Sequence, residues 1–367
     1  MTEQELSAYI QAIRPADEAA MEAARRRQAQ LAKPPGSLGQ LEEISIRLAG
    51  VTGQVCPAMG KCRVAVFAAD NGVVAEGVSC TPPAVTLQQA VNMTFRKTGM
   101  SAMAAAFGDD VSVVDVGIDG DVPPVGVLDR KVRRGTGDIA REDAMTRQQA
   151  LDAMAAGMEQ AARARADGVT ALGIGEMGIG NTTTSAAVLA ALTGADIEAV
   201  TGRGGGLTDE GFLRKKEVLR QALALHRPDG NDVIGVLAGV GGLDLAAMTG
   251  AFLGCAHERV PAAVDGFISI AAALCAVRLC PAVRDVLFLS HDSYEVGYRI
   301  AAETLGLQPC LRLGMRLGEG SGCPLLFRVL EGACGVMRGM ATFGEASIED
   351  SYLDEIRAVD AFTVEAT

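Results

Sequence analysis

The spacing of apolar positions in this chain changes near residue 60. Residues 3 to 31 mix Ala and Leu with charged positions at a helical period and carry a basic stretch, Arg25-Arg26-Arg27. Pro34, Pro35 and Gly36 then stop that helix, and Ser37 is placed to cap the next, which opens at Leu38-Gly-Gln-Leu-Glu42. From Arg63 onward short β-branched runs alternate with Ala-rich stretches. The runs are Val64 to Ala68, Val111 to Val116, Val169 to Gly173, Val233 to Ala238, Ala262 to Phe267 and Val286 to Leu289. Strand-sized runs separated by helix-sized ones predict an α/β fold with a largely parallel sheet and flanking helices. The change of pattern sets the expected domains: residues 1–60 together with 325–367 form a small helical domain, and residues 61–324 form a large α/β catalytic domain.

Ligands of open parallel sheets bind beyond the carboxyl ends of the strands. The residues that follow the runs are polar or glycine: Asp70-Asn71-Gly72, Gly117, Gly175-Glu176, Gly239 to Gly242, Asp265-Gly266 and Ser290-His291-Asp292. A site is expected there.

Composition narrows the class. With 367 residues, 49% of them hydrophobic, the chain can bury a large core. Its apolar stretches, such as Ala246 to Ala256, fall short of the roughly 20 residues that a membrane span needs. The acidic start, Met1-Thr-Glu-Gln-Glu-Leu6, is unlike a secretory signal, so the cytoplasm is the expected location. A net charge of −12 argues against nucleic acid or an anionic membrane as the main partner, so any anionic ligand must be held locally. Nine cysteines without a C-x-x-C pair read as buried free thiols. Three scattered histidines give no metal spacing, and neither a metal nor a cofactor is expected.

The richest stretch is Gly175-Glu-Met-Gly-Ile-Gly-Asn-Thr-Thr-Thr184. Its glycines bring backbone N–H groups close to an anion, and Asn181, Thr182 and Thr183 are placed to cap the following helix and add donors. Glu176 is out of keeping with a phosphate cradle, which suggests a role toward another part of the substrate. Gly173-Ile-Gly175-Glu-Met-Gly178 also fits G-x-G-x-x-G, with Asp196 or Glu198 some 20 residues on, so a dinucleotide-dependent oxidoreductase of Rossmann type is the alternative reading. A third is a nucleotide-binding module without chemistry.

Thr201-Gly-Arg-Gly-Gly-Gly-Leu207 precedes a helix in which Lys215 is placed to reach a phosphate, while Lys216 reads as part of a solvated face. Ser290-His-Asp-Ser293 adds hydroxyls at a strand end, with His291 read as a loop histidine. Finally Met315-Arg-Leu-Gly-Glu-Gly-Ser-Gly322 sets Glu319 between glycines after an apolar run. Partial desolvation there raises a carboxylate toward the range of a general base, although a turn glutamate looks the same in sequence.

Five segments together are more specific than any one. Leu31 to Glu42, Gly175 to Thr183, Val240 to Gly250, Asp265-Gly-Phe267 and Met315 to Gly322 closely resemble, in the same order, the nicotinate-nucleotide–dimethylbenzimidazole phosphoribosyltransferases of cobalamin synthesis. The likeness runs from about residue 30 to about residue 345. It implies transfer of the 5-phosphoribosyl group of nicotinate mononucleotide to a benzimidazole. The implied fold is Rossmann-like, with a small helical domain, assembled as a homodimer. Glu319 matches the family's catalytic base and Glu176 its second glutamate. Met177, Gly178, Gly180, Asn181, Thr182, the Gly204-Gly205 turn, Lys215 and Ser293 match its phosphate-binding groups and their neighbours. Thr81, Gln89, Met315 and Leu317 match the pocket for the aromatic base. The chain departs from the pattern at Asn71, Tyr294 and Cys323-Pro324, positions expected in the pocket walls. Those departures bear on which base is accepted: adenine, substituted benzimidazoles or phenolics.

Overall fold

Strand β1, Cys62–Ala69, is flanked on both sides by parallel partners, and every residue in it except Arg63 is buried. A computed structural model describes residues 1–122 and 126–354 of the chain. Five further strands complete the sheet: β2 Asp110–Gly117, β3 Val127–Asp129, β4 Ala171–Met177, β5 Ala262–Val264 and β6 Leu287–Leu289. Their order is β3-β2-β1-β4-β5-β6, and every adjacent pair is parallel. The order reverses between β1 and β4, and beyond the carboxyl ends of such strands a doubly wound sheet opens a crevice.

Five expected runs overlap strands, with one notable shift. The run placed at Val169 to Gly173 becomes β4, Ala171–Met177, which carries the strand through Gly173 and Gly175 to Glu176. Glycine is a poor strand former, but β1 pairs along the whole of β4 and β5 along Leu172 to Ile174, and this pairing overrides the local preference. The run Val233 to Ala238 is instead a helix, Val233–Val240. Asp232 accepts from the Gly235 N–H and caps it, and because every residue from Val236 to Val240 is buried, apolar content alone could not separate helix from strand. The short strand β3 was not anticipated.

The helix expected over residues 3 to 31 is two helices, Glu3–Ala12 and Glu18–Gln30. Pro15 follows an extended Ile13, and Asp17 caps the second helix through the Ala20 N–H. That second helix ends before Pro34. Ser37 does not cap the next helix, Gln40–Thr52, whose N-cap is Gly39 at φ 52°. These helices and the end of the helix Cys323–Gly339 bury Ala20, Ala24, Leu31, Ile46, Ala49 and Met337 as a cluster separate from the main core. Leu31 and Thr342 are bridged as antiparallel β-partners, which ties the segment after the second helix to the segment after Cys323–Gly339. The expected boundary at residue 325 falls inside Cys323–Gly339, whose first half packs Leu326 and Phe327 into the main core. Residues 355–367 of the expected small domain lie outside the described residues.

Behind the sheet the helices Arg147–Ala166 and Leu243–Glu258 cross almost in backbone contact. A Cβ on Gly157 would lie 1.8 Å from the Ala247 carbonyl oxygen, and one on Gly250 would lie 1.9 Å from that of Met154. Of the nine free cysteines six are buried, Cys56 and Cys310 are half-buried, and Cys80 is exposed on the rim of the main cavity. Among the described residues no helix is long and apolar enough to cross a membrane.

Candidate active site

The chain turns left-handed at three consecutive residues beyond β4 and β5: Gly318 (φ 79°), Glu319 (φ 63°) and Gly320 (φ 83°). Such a conformation in a non-glycine residue persists only where its surroundings over-determine it. Two buried carboxylates do so here. Glu176, at the end of β4, accepts the Glu319 N–H at 3.1 Å. Asp265, directly after β5, accepts the Gly320 N–H at 3.1 Å and the Gly322 N–H at 2.7 Å. Gly175 leaves the turn its space, since a Cβ there would stand 2.7 Å from the Glu319 carbonyl oxygen.

The held turn points the Glu319 side chain at the start of the helix Gly99–Phe107, where the Met100 N–H donates to its Oε2 at 3.4 Å and the Thr98 hydroxyl is a second donor. Its residue is 6% exposed. Burial pushes its carboxyl above the ordinary range, against those two hydrogen bonds. A carboxylate raised in this way holds a proton more strongly than an exposed one, which is what a general base requires.

Glu176 belongs to a second network. The Asn181 amide donates to Glu176 Oε2 and, at 3.0 Å, to Asp244 Oδ2. Burial, reinforced by the Asp244 charge, pushes Glu176 up to about 8, and burial pushes Asp244 up to about 6. The expected capping role of Asn181 and the threonines is therefore not what is seen. The helix Asn181–Thr193 has Gly180 as its N-cap at φ 93°, with no side-chain cap. Asn181 is occupied in holding two acids together.

Around the start of that helix the wall of the main cavity is built from Met177, Gly178, Gly180, Asn181, Thr182, Gly204, Gly205 and Ser293. Lys215 stands behind this wall, fully buried, and donates to Thr182 Oγ1 at 2.8 Å. Burial lowers its ammonium to about 8. Lys216, by contrast, is half-buried over the Phe212 ring and pairs with Glu198. His291 is buried at the cavity, with Nδ1 at 3.0 Å from Ser290 Oγ and 3.8 Å from Asp265 Oδ1, so it backs the carboxylate that holds the Glu319 turn.

Thr81, Gln89, Leu317 and Glu319 line the same cavity. Met315 does not; its carbonyl accepts the Tyr294 N–H and ties two loops together. Nor do Asn71, Tyr294, Cys323 and Pro324 line it, contrary to the expectation for those positions. Asn71 is buried against Gly178 and Gly180, Tyr294 is 75% exposed, and Cys323 packs on Gly173.

The dinucleotide alternative fails on the same geometry. Gly173 and Gly175 are inside β4 rather than in a turn, and they make room for Cys323 and the Glu319 loop. Asp196 caps the short helix Ile197–Val200 and Glu198 pairs with Lys216 and Arg220, so neither is free for a ribose. Sequence reasoning passed over Arg203, Glu295 and Arg316 in the cavity wall and saw no role in Asp265. Asp265 was visible as a polar residue at a strand end, but only the fold brings it to the 318–322 turn.

Comparison with known proteins agrees with this arrangement. A phosphoribosyltransferase family profile matches residues 13–348. The nicotinate-nucleotide–dimethylbenzimidazole phosphoribosyltransferase of Clostridium perfringens is 46% identical over 341 residues, 93% of this chain and 94% of its own length. That of Geobacter metallireducens is 46% identical over 347 residues, 94% of this chain and 98% of its own. The crystal structure of CobT from Thermus thermophilus superposes with a TM-score of 0.88 at 45% identity, covering 91% of this chain and all of that one. Likeness of this extent, on a fold and site built as described, shows that the chain belongs to the nicotinate-nucleotide–dimethylbenzimidazole phosphoribosyltransferase family.

Proposed function

We propose that the protein transfers the 5-phosphoribosyl group of nicotinate mononucleotide to 5,6-dimethylbenzimidazole or a related base, releasing nicotinate and forming α-ribazole 5′-phosphate for the lower ligand of cobalamin. The observation that carries this reading is the single cavity in which a desolvated carboxylate, Glu319, faces a glycine and hydroxyl shell backed by Lys215.

In this reading Gly178 to Thr182, Gly204, Gly205, Ser293 and Lys215 hold the phosphate, while Thr81, Gln89 and Leu317 enclose the base. Nicotinate in the mononucleotide is a cationic N-glycosyl pyridinium, so it departs as a neutral ring and needs no acid to assist it. The attacking azole is a weak nucleophile until its other nitrogen loses a proton, and Glu319 takes that proton as C1′ is attacked. Attack from the face opposite nicotinate inverts C1′ and turns a β-linked nucleotide into an α-linked product. Holding the two rings on either side of the ribose supplies most of what remains. Glu176 serves this chemistry by holding the Glu319 backbone, with its own proton retained near neutrality.

The enzyme is proposed to work in the cytoplasm as a homodimer, the dimer supported by the exposed apolar side chains Val296, Leu313 and Leu317; sedimentation at micromolar concentration tests it. The activity is tested by incubating the protein with nicotinate mononucleotide and 5,6-dimethylbenzimidazole and resolving the products by chromatography. Appearance of nicotinate and a phosphorylated α-riboside in equal amounts is expected. Their absence, with the mononucleotide unconsumed, overturns the reading.

A further inference from the structure

Glu295 is a half-buried carboxylate that the mechanism above leaves without a use, and it stands in the wall of the proposed phosphate shell. It follows Ser293 by two residues and lines the cavity with Thr182, Gly204 and Gly205. Its Oε2 is buried and has no hydrogen-bond partner among the described residues. A Cβ at Gly202 would lie 1.7 Å from that oxygen, so the Thr201 to Leu207 loop is folded directly onto the carboxylate. The Gly204 N–H is its donor, and Lys215 and Arg316 are the cations whose charge reaches it. In turn, Glu295 is the anion whose charge reaches the buried Lys215. A buried ammonium requires such compensation.

Glycine N–H, hydroxyl, ammonium and guanidinium are also the groups that hold a phosphate monoester. A carboxylate and a phosphate dianion repel when they crowd the same donors. One of them must give way, and a second cavity shows where. Glu295 lines it too, on its other side, with Arg299 and Arg312. Among the described residues neither arginine pairs with a carboxylate, and both are exposed and free to adjust.

We propose that Glu295 is the resident anion of the phosphate shell: nicotinate mononucleotide binds by exchanging its phosphate for this carboxylate, which swings across to Arg299 and Arg312. This rests on the phosphate site of the preceding section. The exchange lowers the net affinity for phosphate, which favours release of the phosphorylated product, and it keeps Lys215 compensated when the site is empty.

Calorimetric titration with inorganic phosphate, nicotinate mononucleotide and the dephosphorylated riboside tests the exchange. Glu295→Gln keeps the shape of the side chain but has no charge to displace. It should bind phosphate and the mononucleotide about tenfold more tightly than wild type, with riboside affinity unchanged. Replacing Arg299 and Arg312 together by Ala removes the landing place and should weaken mononucleotide binding, but not in the Glu295→Gln background. Weaker or unchanged phosphate binding in folded Glu295→Gln overturns the exchange. If that variant does not fold, unchanged mononucleotide affinity in the arginine double variant overturns it instead. A wild-type enzyme that binds mononucleotide and riboside equally refutes the phosphate site itself, and the exchange with it, whereas failure of the variants alone leaves the phosphate site standing.

Discussion

At the scale of single residues, the site depends on carboxylates that differ less in chemistry than in surroundings. Glu176, Asp265 and Glu319, far apart in sequence, meet at the wall of one cavity, where the first two accept N–H groups of the 318–322 turn while Glu319 accepts the Met100 N–H at 3.4 Å. Glu319→Gln preserves shape and the left-handed backbone while removing the proton acceptor. The variant should bind both substrates and lose about 10²- to 10⁴-fold in kcat, read by steady-state kinetics. A rate near wild type removes Glu319 as the base. Because burial raises this group, the base becomes competent only as pH passes above the ordinary carboxylate range. Wild-type kcat should therefore climb with pH toward neutrality, and a profile already flat from pH about 4.5 upward contradicts that assignment.

At the scale of elements, the sheet reaches its site because the helices behind it pack closely. Gly157 on Arg147–Ala166 and Gly250 on Leu243–Glu258 allow each helix to rest on a carbonyl of the other, which a side chain at either place would prevent. Gly157→Val should destabilise the fold by about 1–3 kcal/mol or more, since the clash is with backbone that has no rotamer to change. Urea denaturation measures it. A wild-type midpoint means that these helices separate without consequence for the sheet. The element most easily misread, Val233–Val240, shows the limit of periodicity: wholly buried helices and wholly buried strands look alike as apolar runs, and the Asp232 cap was the available clue.

At the scale of the whole molecule, acids buried at the strand ends make stability depend on pH. Glu176 is raised from 4.5 to about 8 by burial, so between those values the folded state keeps a proton that the unfolded state has released. The unfolded state then binds fewer protons, and stability falls as pH rises through this window, by at most about 1.4 kcal/mol per pH unit for one group. Glu176→Gln cannot ionise and removes this slope. Urea unfolding at pH values across the window should show the variant gaining on wild type as pH rises. If the two curves run parallel, Glu176 is already ionised in the fold.

The amino-acid sequence alone determined the class of fold, most strand positions and the stretches that carry chemistry. These follow from local causes: β-branched runs of strand length, glycines at strand ends, and motifs long enough to mark a family. It placed Thr182, Ser293 and Lys215 among the candidate site residues, and Glu319 as an acid between glycines, because their neighbours in the chain already suggested their work. Tertiary structure alone decided what those neighbours could not carry. Asn181 became a bridge between Glu176 and Asp244, which are far apart in sequence and meet only where β4 ends beside the start of Leu243–Glu258. Gly175 became strand rather than loop because β1 pairs with it, Gly175 opposite Val66, and its missing side chain admits the turn of Glu319. Asp265 acquired its task from two N–H groups more than fifty residues away, an acceptor–donor match that no local pattern records.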